Sequence, residues 1–99
     1  MTLTSKQRAF LRSMANTVEP LFQIGKGGMT DNFIKQIDEA LEARELIKIH
    51  LLDSAFMDAH ETVNEIARLT HAEPVQAIGS KMVLYRESRN KKRIELPVK

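Results

Sequence analysis

The stretch Ile24-Gly25-Lys26-Gly27-Gly28-Met29-Thr30 narrows the choice of folds more than any other part of the sequence. It joins a short apolar run, Leu21-Phe22-Gln23-Ile24, to a helical pattern that starts near Thr30. Three glycines in four positions neither extend a strand nor open a helix at low cost, so the chain must bend there. Glycine also reaches φ > 0 and leaves backbone N–H groups bare. A helix beginning directly after the bend adds unpaired N–H donors and the positive end of its dipole. Lys26 brings a point charge to the same place, and the combination suits a phosphate. Two nucleotide-pocket readings fail on spacing. A dinucleotide fingerprint needs a third glycine where Thr30 stands, and a P-loop needs its Lys after the last glycine, whereas Lys26 precedes it. What remains is a loop that contacts backbone phosphate without enclosing a nucleotide.

The elements around the loop follow from hydrophobic spacing and local punctuation. Thr4 and Gln7 have the spacing of a capping box, and Phe10, Leu11, Met14 and Ala15 form the expected buried face of a first helix. Pro20 forces an extended start to a short strand over 20–24. Thr30 is the expected N-cap of a second helix that buries Phe33, Ile34, Ile37, Ala40 and Leu41. Residues 45–52 alternate around Ile47, Ile49 and Leu51 and read as a strand. A third helix is expected over roughly 56–70, with Ala59, Val63, Ile66 and Ala67 inward. Residues 74–78 and 82–86 read as strands joined by a tight turn at Gly79-Ser80. The order is α-β-α-β-α-β-β: an α/β two-layer domain with a four-stranded mixed sheet, in which crossovers make the first three strands parallel and the last hairpin adds one antiparallel strand. A single domain over 1–88 is expected, followed by a basic, mobile tail over 89–99 in which Ile94-Glu95-Leu96 has the pattern of a short strand.

Charge adds a second constraint. The formal net charge is only +2, but residues 1–30 carry +3, residues 31–80 carry −6 and residues 81–99 carry +5. Basic ends that meet in space form one positive face, the electrostatic footprint of a nucleic-acid binder. Several classes drop out. No apolar run approaches the roughly 20 residues of a membrane span, and residues 1–20 lack a signal-peptide core. With no Cys there is no thiolate nucleophile or Cys-based zinc site, which fits a cytoplasmic protein. His50, His60 and His71 lack metal-ligand spacing, and His50 is expected on the second face of the sheet. The serines have no nucleophile-elbow context, and the carboxylates at 58, 61 and 65 fall on a helix's polar face, so neither a catalytic site nor a cofactor is expected. Aromatic residues make up only 5% of the chain; Phe10, Phe22 and Phe33 sit in apolar patterns, and Tyr85 suits either the core or a contact. Recognition should therefore depend on phosphate and shape more than on base edges.

Four blocks in order carry a resemblance: residues 24–30, Glu45-Leu46-Ile47-Lys48-Ile49, Val75-Gln76-Ala77-Ile78-Gly79 and Leu84-Tyr85-Arg86. The chain resembles the CRM domain, named for chloroplast RNA splicing and ribosome maturation, and in particular the stand-alone bacterial YhbY type, from about Ser5 to Ser88. The resemblance implies a fold like the C-terminal domain of translation initiation factor three. It also implies RNA binding through the G-x-x-G loop and association with precursors of the large ribosomal subunit. The implied RNA contacts are Gly25, Lys26, Gly27 and Gly28, with basic groups at Lys6, Arg8, Arg12 and Arg86 widening the surface. Met29 and Thr30 join the site as the start of the helix, and Arg89, Lys91, Lys92 and Arg93 as a flexible basic arm. The expected partner is RNA, ribosomal or precursor, bound by a monomer without a small-molecule substrate. A protein-interaction module docking a basic partner through the acidic helices is the alternative, and a DNA binder a third.

Overall fold

The computed structural model describes residues 3–98. Its elements are α1 (Ser5–Ala15), β1 (Phe22–Ile24), α2 (Asp31–Arg44), β2 (Leu46–Leu51), α3 (Ala59–Thr70), β3 (Glu73–Ile78) and β4 (Lys81–Tyr85). Local chemistry sets the helix starts. Thr4 accepts from Gln7 N at 3.1 Å while the Gln7 side chain accepts from Thr4 N at 3.1 Å, which completes the capping box. Thr30 caps α2 by accepting from Phe33 N at 3.0 Å. Asp58 caps α3 through Glu61 N at 2.9 Å. That helix begins at Ala59 rather than near residue 56, because Asp53–Ala55 form a 3₁₀ turn that Phe56 ends in a left-handed conformation, φ 52°.

The four strands form one mixed sheet in the order β1-β2-β4-β3. The strands β1 and β2 are parallel neighbours, and β4 runs antiparallel to both β2 and β3. Strand directions match the expectation, but β4 separates β2 from β3. The reason is composition: Met82, Val83, Leu84 and Tyr85 are all buried, so β4 needs cover on both faces and takes a central place. By contrast β3 has Pro74, a register shift between Pro74 and Gln76, and Ile78 at 65% exposure, all of which suit an edge.

Alternate residues on β4 separate two cores. Met82 and Leu84 join Ile24, Ile37, Leu41, Ile47, Ile49 and Ile66 under α2 and α3. Phe22 and Phe33 pack against that cluster, edge to face, with centroids 6.0 Å apart. Val83 and Tyr85 face the other way, onto Leu11, Ala15, Leu46, Val75 and Ile94. The sheet with α2 and α3 makes the α/β layer pair, and α1 lies across the opposite face. Leu11 and Ala15 are buried there, but Phe10 is 38% exposed. The buried stripe of α1 runs Gln7, Leu11, Ala15, so Phe10 falls on its margin.

The tail expected to be mobile is held down. The Glu45 carboxylate accepts backbone N–H groups from Ser88 at 2.6 Å and from Arg93 and Ile94 at 2.7 Å. Glu42 accepts from the Ser88 hydroxyl at 2.7 Å and from Arg89 N and Asn90 N. Ile94 is buried against α1's face of the sheet, and the Gln7 side chain donates to Pro97 O at 3.0 Å. Residues 94–96 form no strand. Among the described residues, no helix is long and apolar enough to cross a membrane, and no group of three or more His, Asp or Glu side chains gathers to hold a metal.

Candidate nucleic-acid interface

The glycine loop leaves the C-terminal end of β1 and runs into α2. Gly28 N donates to Gly25 O at 2.9 Å, closing a turn, and Gly28 has φ 67°, which glycine adopts without strain. Gly25 backs onto the neighbouring turn, where an added Cβ would stand 3.4 Å from Leu52 and 3.5 Å from the Ser54 hydroxyl. An added Cβ at Gly27 or Gly28 would meet nothing within 4 Å. The crest of the loop therefore faces open space. Among the described residues, Gly27 N and Met29 N find no protein acceptor, and Lys26 is exposed without an ion pair. The Gly28 N–H, expected to reach a phosphate, is instead occupied inside the turn. Bare N–H groups on the loop, the start of α2 and one lysine remain as anion-binding elements. Asp31, in the first turn of α2, stabilises the helix dipole and sets a carboxylate at the edge of the site.

The basic side chains expected around the loop are not all brought to it. Arg86 is the clearest departure. It follows β4 at the end of the sheet opposite the loop, since Tyr85 pairs with Leu46 and Glu73 at the starts of their strands. Its guanidinium, 12% exposed, bonds Asp38 Oδ1 at 2.5 Å, Thr70 O at 2.8 Å and Asp38 O at 2.9 Å. It ties α2 and α3 to the sheet, and its guanidinium is engaged within the fold. Arg8 donates to Pro74 O at the β3 edge. Arg12 stands one turn further along the same flank of α1, and Lys6 points out from the other flank. Of the expected arm, Arg89 and Arg93 give backbone N–H groups to Glu42 and Glu45, and Lys92 pairs with Glu87 at 3.5 Å.

Two features at the loop end were not legible as site residues. Phe56 is 94% exposed on the turn beside the loop, and helical periodicity hid it by placing residue 56 in the third helix. Lys48 and Lys81, with His50 between them in register, lie on the half of the sheet face that α1 leaves open. The period-two alternation of residues 45–52 was their signal, because it sets 48 and 50 opposite the core residues.

Titration is shifted at Glu42 and Tyr85 at the far end, and at the Glu65–Arg68 pair on α3. Hydrogen bonds from the Ser88 hydroxyl and from Arg89 N hold the Glu42 carboxyl below its usual range. Burial, with help from the Glu45 and Glu87 carboxylates, pushes the Tyr85 phenol up to about 12. Its hydroxyl is buried without a hydrogen-bond partner, so Tyr85 is a core residue. The loop end offers fixed charges and bare amides for binding.

Comparison with known proteins agrees with this geometry. A Bacillus subtilis protein named Probable RNA-binding protein YqeI is 50% identical over 95 residues, covering 96% of this chain and 99% of its own. A Haemophilus influenzae protein named RNA-binding protein is 38% identical over 98 residues, 99% of this chain and 98% of the other. The solution structure of a hypothetical protein from Staphylococcus aureus superposes with a TM-score of 0.77 at 49% identity, over 97% of this chain and all of that one. The model of the CRS1 / YhbY (CRM) domain matches residues 3–86. Together with the sheet order and the loop, that match makes this chain a member of the CRS1/YhbY (CRM) domain family.

Proposed function

We propose that this protein binds RNA by seating a backbone phosphate on the loop crest at Lys26, Gly27 and Met29, and that it acts in assembly of the large ribosomal subunit. The observation that carries the contact is the open crest, where a Cβ at Gly27 or Gly28 would meet no atom within 4 Å and the N–H groups of Gly27 and Met29 lack acceptors. Gly25, Gly28 and Thr30 shape the site: Gly25 by packing on the next turn, Gly28 by its φ and Thr30 by capping α2. Names of relatives with nearly full-length coverage support RNA as the ligand. The ribosomal assignment rests on the family resemblance read from the sequence. The protein works as a monomeric cytoplasmic binder, and catalysis and cofactors have no part in this reading.

The alternative is docking of a basic protein through the acidic helices, where part of the negative charge is already engaged while Asp31, Glu39 and Glu61 stand exposed without an ion pair among the described residues. Asp38 is bound by Arg86, Glu42 by the tail, Asp58 by its own helix and Glu65 by Arg68 at 2.6 Å. Crosslinking the protein in cells and sequencing the attached RNA tests the assignment. Enrichment of large-subunit rRNA or its precursor is expected; recovery of unrelated transcripts at equal frequency would overturn it. Competition between duplex DNA and rRNA fragments tests the choice of polymer, with rRNA expected to win.

A further inference from the structure

The cross-strand register places Gln23, His50, Lys81 and Ile78 in one row, since Gln23 pairs with His50, His50 with Lys81 and Lys81 with Ile78. The next row holds Lys48, Val83 and Gln76. Paired residues share a face, and Val83 belongs to the core beneath α1, so both rows lie on the α1 side of the sheet. The helix covers only part of that side. Val83 is buried, but Gln23 and Ile78 are exposed and Lys48, His50, Gln76 and Lys81 are half-buried. The uncovered part is the end nearest the glycine loop, because Ile24 and Leu51 lead directly into the two loops there. At ~4.8 Å between strands, the first row spans roughly 14 Å.

This half-face is basic, and its cations are free. Among the described residues, Lys48 and Lys81 take part in no ion pair and no side-chain hydrogen bond, and neither does Lys26 on the loop. None of the six residues is acidic. Glu19 is the carboxylate that shares a groove with Lys48, and the two do not pair. The patch offers no Phe, Tyr or Trp ring for stacking a base. Its chemistry is that of lysines for phosphate, with Gln23, His50 and Gln76 as hydrogen-bonding groups.

We propose that the open half of the sheet face, centred on Lys48 and Lys81, carries the backbone of the RNA strand onward from the phosphate held at the glycine loop. The inference rests on RNA being the ligand and extends the contact from one phosphate to a path across the sheet. An RNA strand fits this surface better than a protein partner because the cations stand unpaired, flat and continuous with the loop amides.

The test is a salt titration of the full chain with a labelled large-subunit rRNA fragment. Replacing both lysines, Lys48→Gln with Lys81→Gln, should leave the melting temperature unchanged, because neither side chain has a polar partner. It should lower the slope of log affinity against log salt by about 1.4–1.8, with a loss of roughly tenfold or more at ~0.1 M salt. Lys35→Gln with Arg68→Gln removes the same charge from the exposed sides of α2 and α3, on the other face of the sheet, and should leave the slope alone. If that control lowers the slope as much, only net charge matters and the path is overturned. If the Lys48/Lys81 variant matches the parent while Gly27→Asp with Gly28→Asp loses RNA, the sheet path fails and the loop reading stands. If the loop variant binds normally and the lysine variant does not, the loop reading fails and the sheet face is the contact. Unchanged RNA binding with loss of a ribosomal protein from pull-downs would assign the face to protein instead. Amide shifts of Gln23, His50 and Lys81 on adding RNA give a second readout, and their absence contradicts the path.

Discussion

At one end of the sheet, cations and carboxylates are matched to each other; at the other, they are left unmatched. Arg86 bonds Asp38 and Thr70, and Glu42 and Glu45 collect the N–H groups of the chain beyond β4. Glu45 is fully buried and holds φ 68°, a conformation kept only where its surroundings fix it. At the loop end, among the described residues, Lys26 is exposed, Lys48 and Lys81 are half-buried without a charged partner, and Gly27 and Met29 have bare N–H groups. Two similar sets of charged residues thus do different work. Buried and paired, charge holds segments together; exposed and unpaired beside bare amides, it remains available to an anion. Net charge along the sequence does not distinguish the two cases, and the position of the partners does.

Glu45→Ala should break this contrast most severely. It strips three backbone N–H groups of their acceptor and frees Ile94 from its pocket, at a cost of about 3–5 kcal/mol. Denaturant unfolding measures the loss, and faster amide exchange at Ser88, Arg93 and Ile94 locates it. Next in size is a pair with opposite outcomes. Arg86→Met should cost about 2–3 kcal/mol by leaving Thr70 O and Asp38 without their donor, yet leave the salt slope of RNA binding unchanged. Lys26→Gln should leave stability within about 0.5 kcal/mol and lower that slope by about 0.7–0.9. Equal effects of the two substitutions on RNA would erase the distinction between the ends.

Smaller effects sharpen it. Tyr85→Phe removes a buried hydroxyl with no partner and should raise stability by about 1 kcal/mol. The phenol stays neutral in the fold up to about 12 but ionises near pH 10 once unfolded. Stability is therefore full below pH 10 and lost between 10 and about 12, and the Phe variant should escape this loss in alkaline melts. The half-buried Glu42 gives the mildest effect. Its folded-state value lies below 4.5, so its contribution is present above that value and is lost as pH falls through the depressed one. Acid should loosen Arg89 and Asn90, seen as line broadening, before the glycine loop responds.

Features set by neighbouring residues were legible in the sequence. Thr4 with Gln7 and Thr30 announced two helix starts, and alternation at Ile47, Ile49 and Leu51 announced a central strand. The loop could be placed because glycines between an apolar run and a cap admit few conformations. What depended on distant partners was hidden. Arg86 reads as an RNA contact until Asp38 is found 48 residues away. The tail reads as mobile until Glu42 and Glu45 supply its acceptors. Phe10 fits the helical stripe of α1, but only the folded chain shows that the stripe centres on Gln7, Leu11 and Ala15. Insertion of β4 between β2 and β3 follows from its unbroken apolar run, a signal present in the sequence that strand order alone obscured.

The central claim is that the open loop crest holds an RNA phosphate. Its most direct test is the affinity of Gly27→Asp with Gly28→Asp for an rRNA fragment, measured beside its melting curve. Both positions have room for a side chain, and aspartate tolerates φ 67° better than most residues, so the fold should survive with a loss of about 1–2 kcal/mol. The account predicts that RNA binding disappears while the melt remains cooperative; binding as tight as the parent's would contradict it.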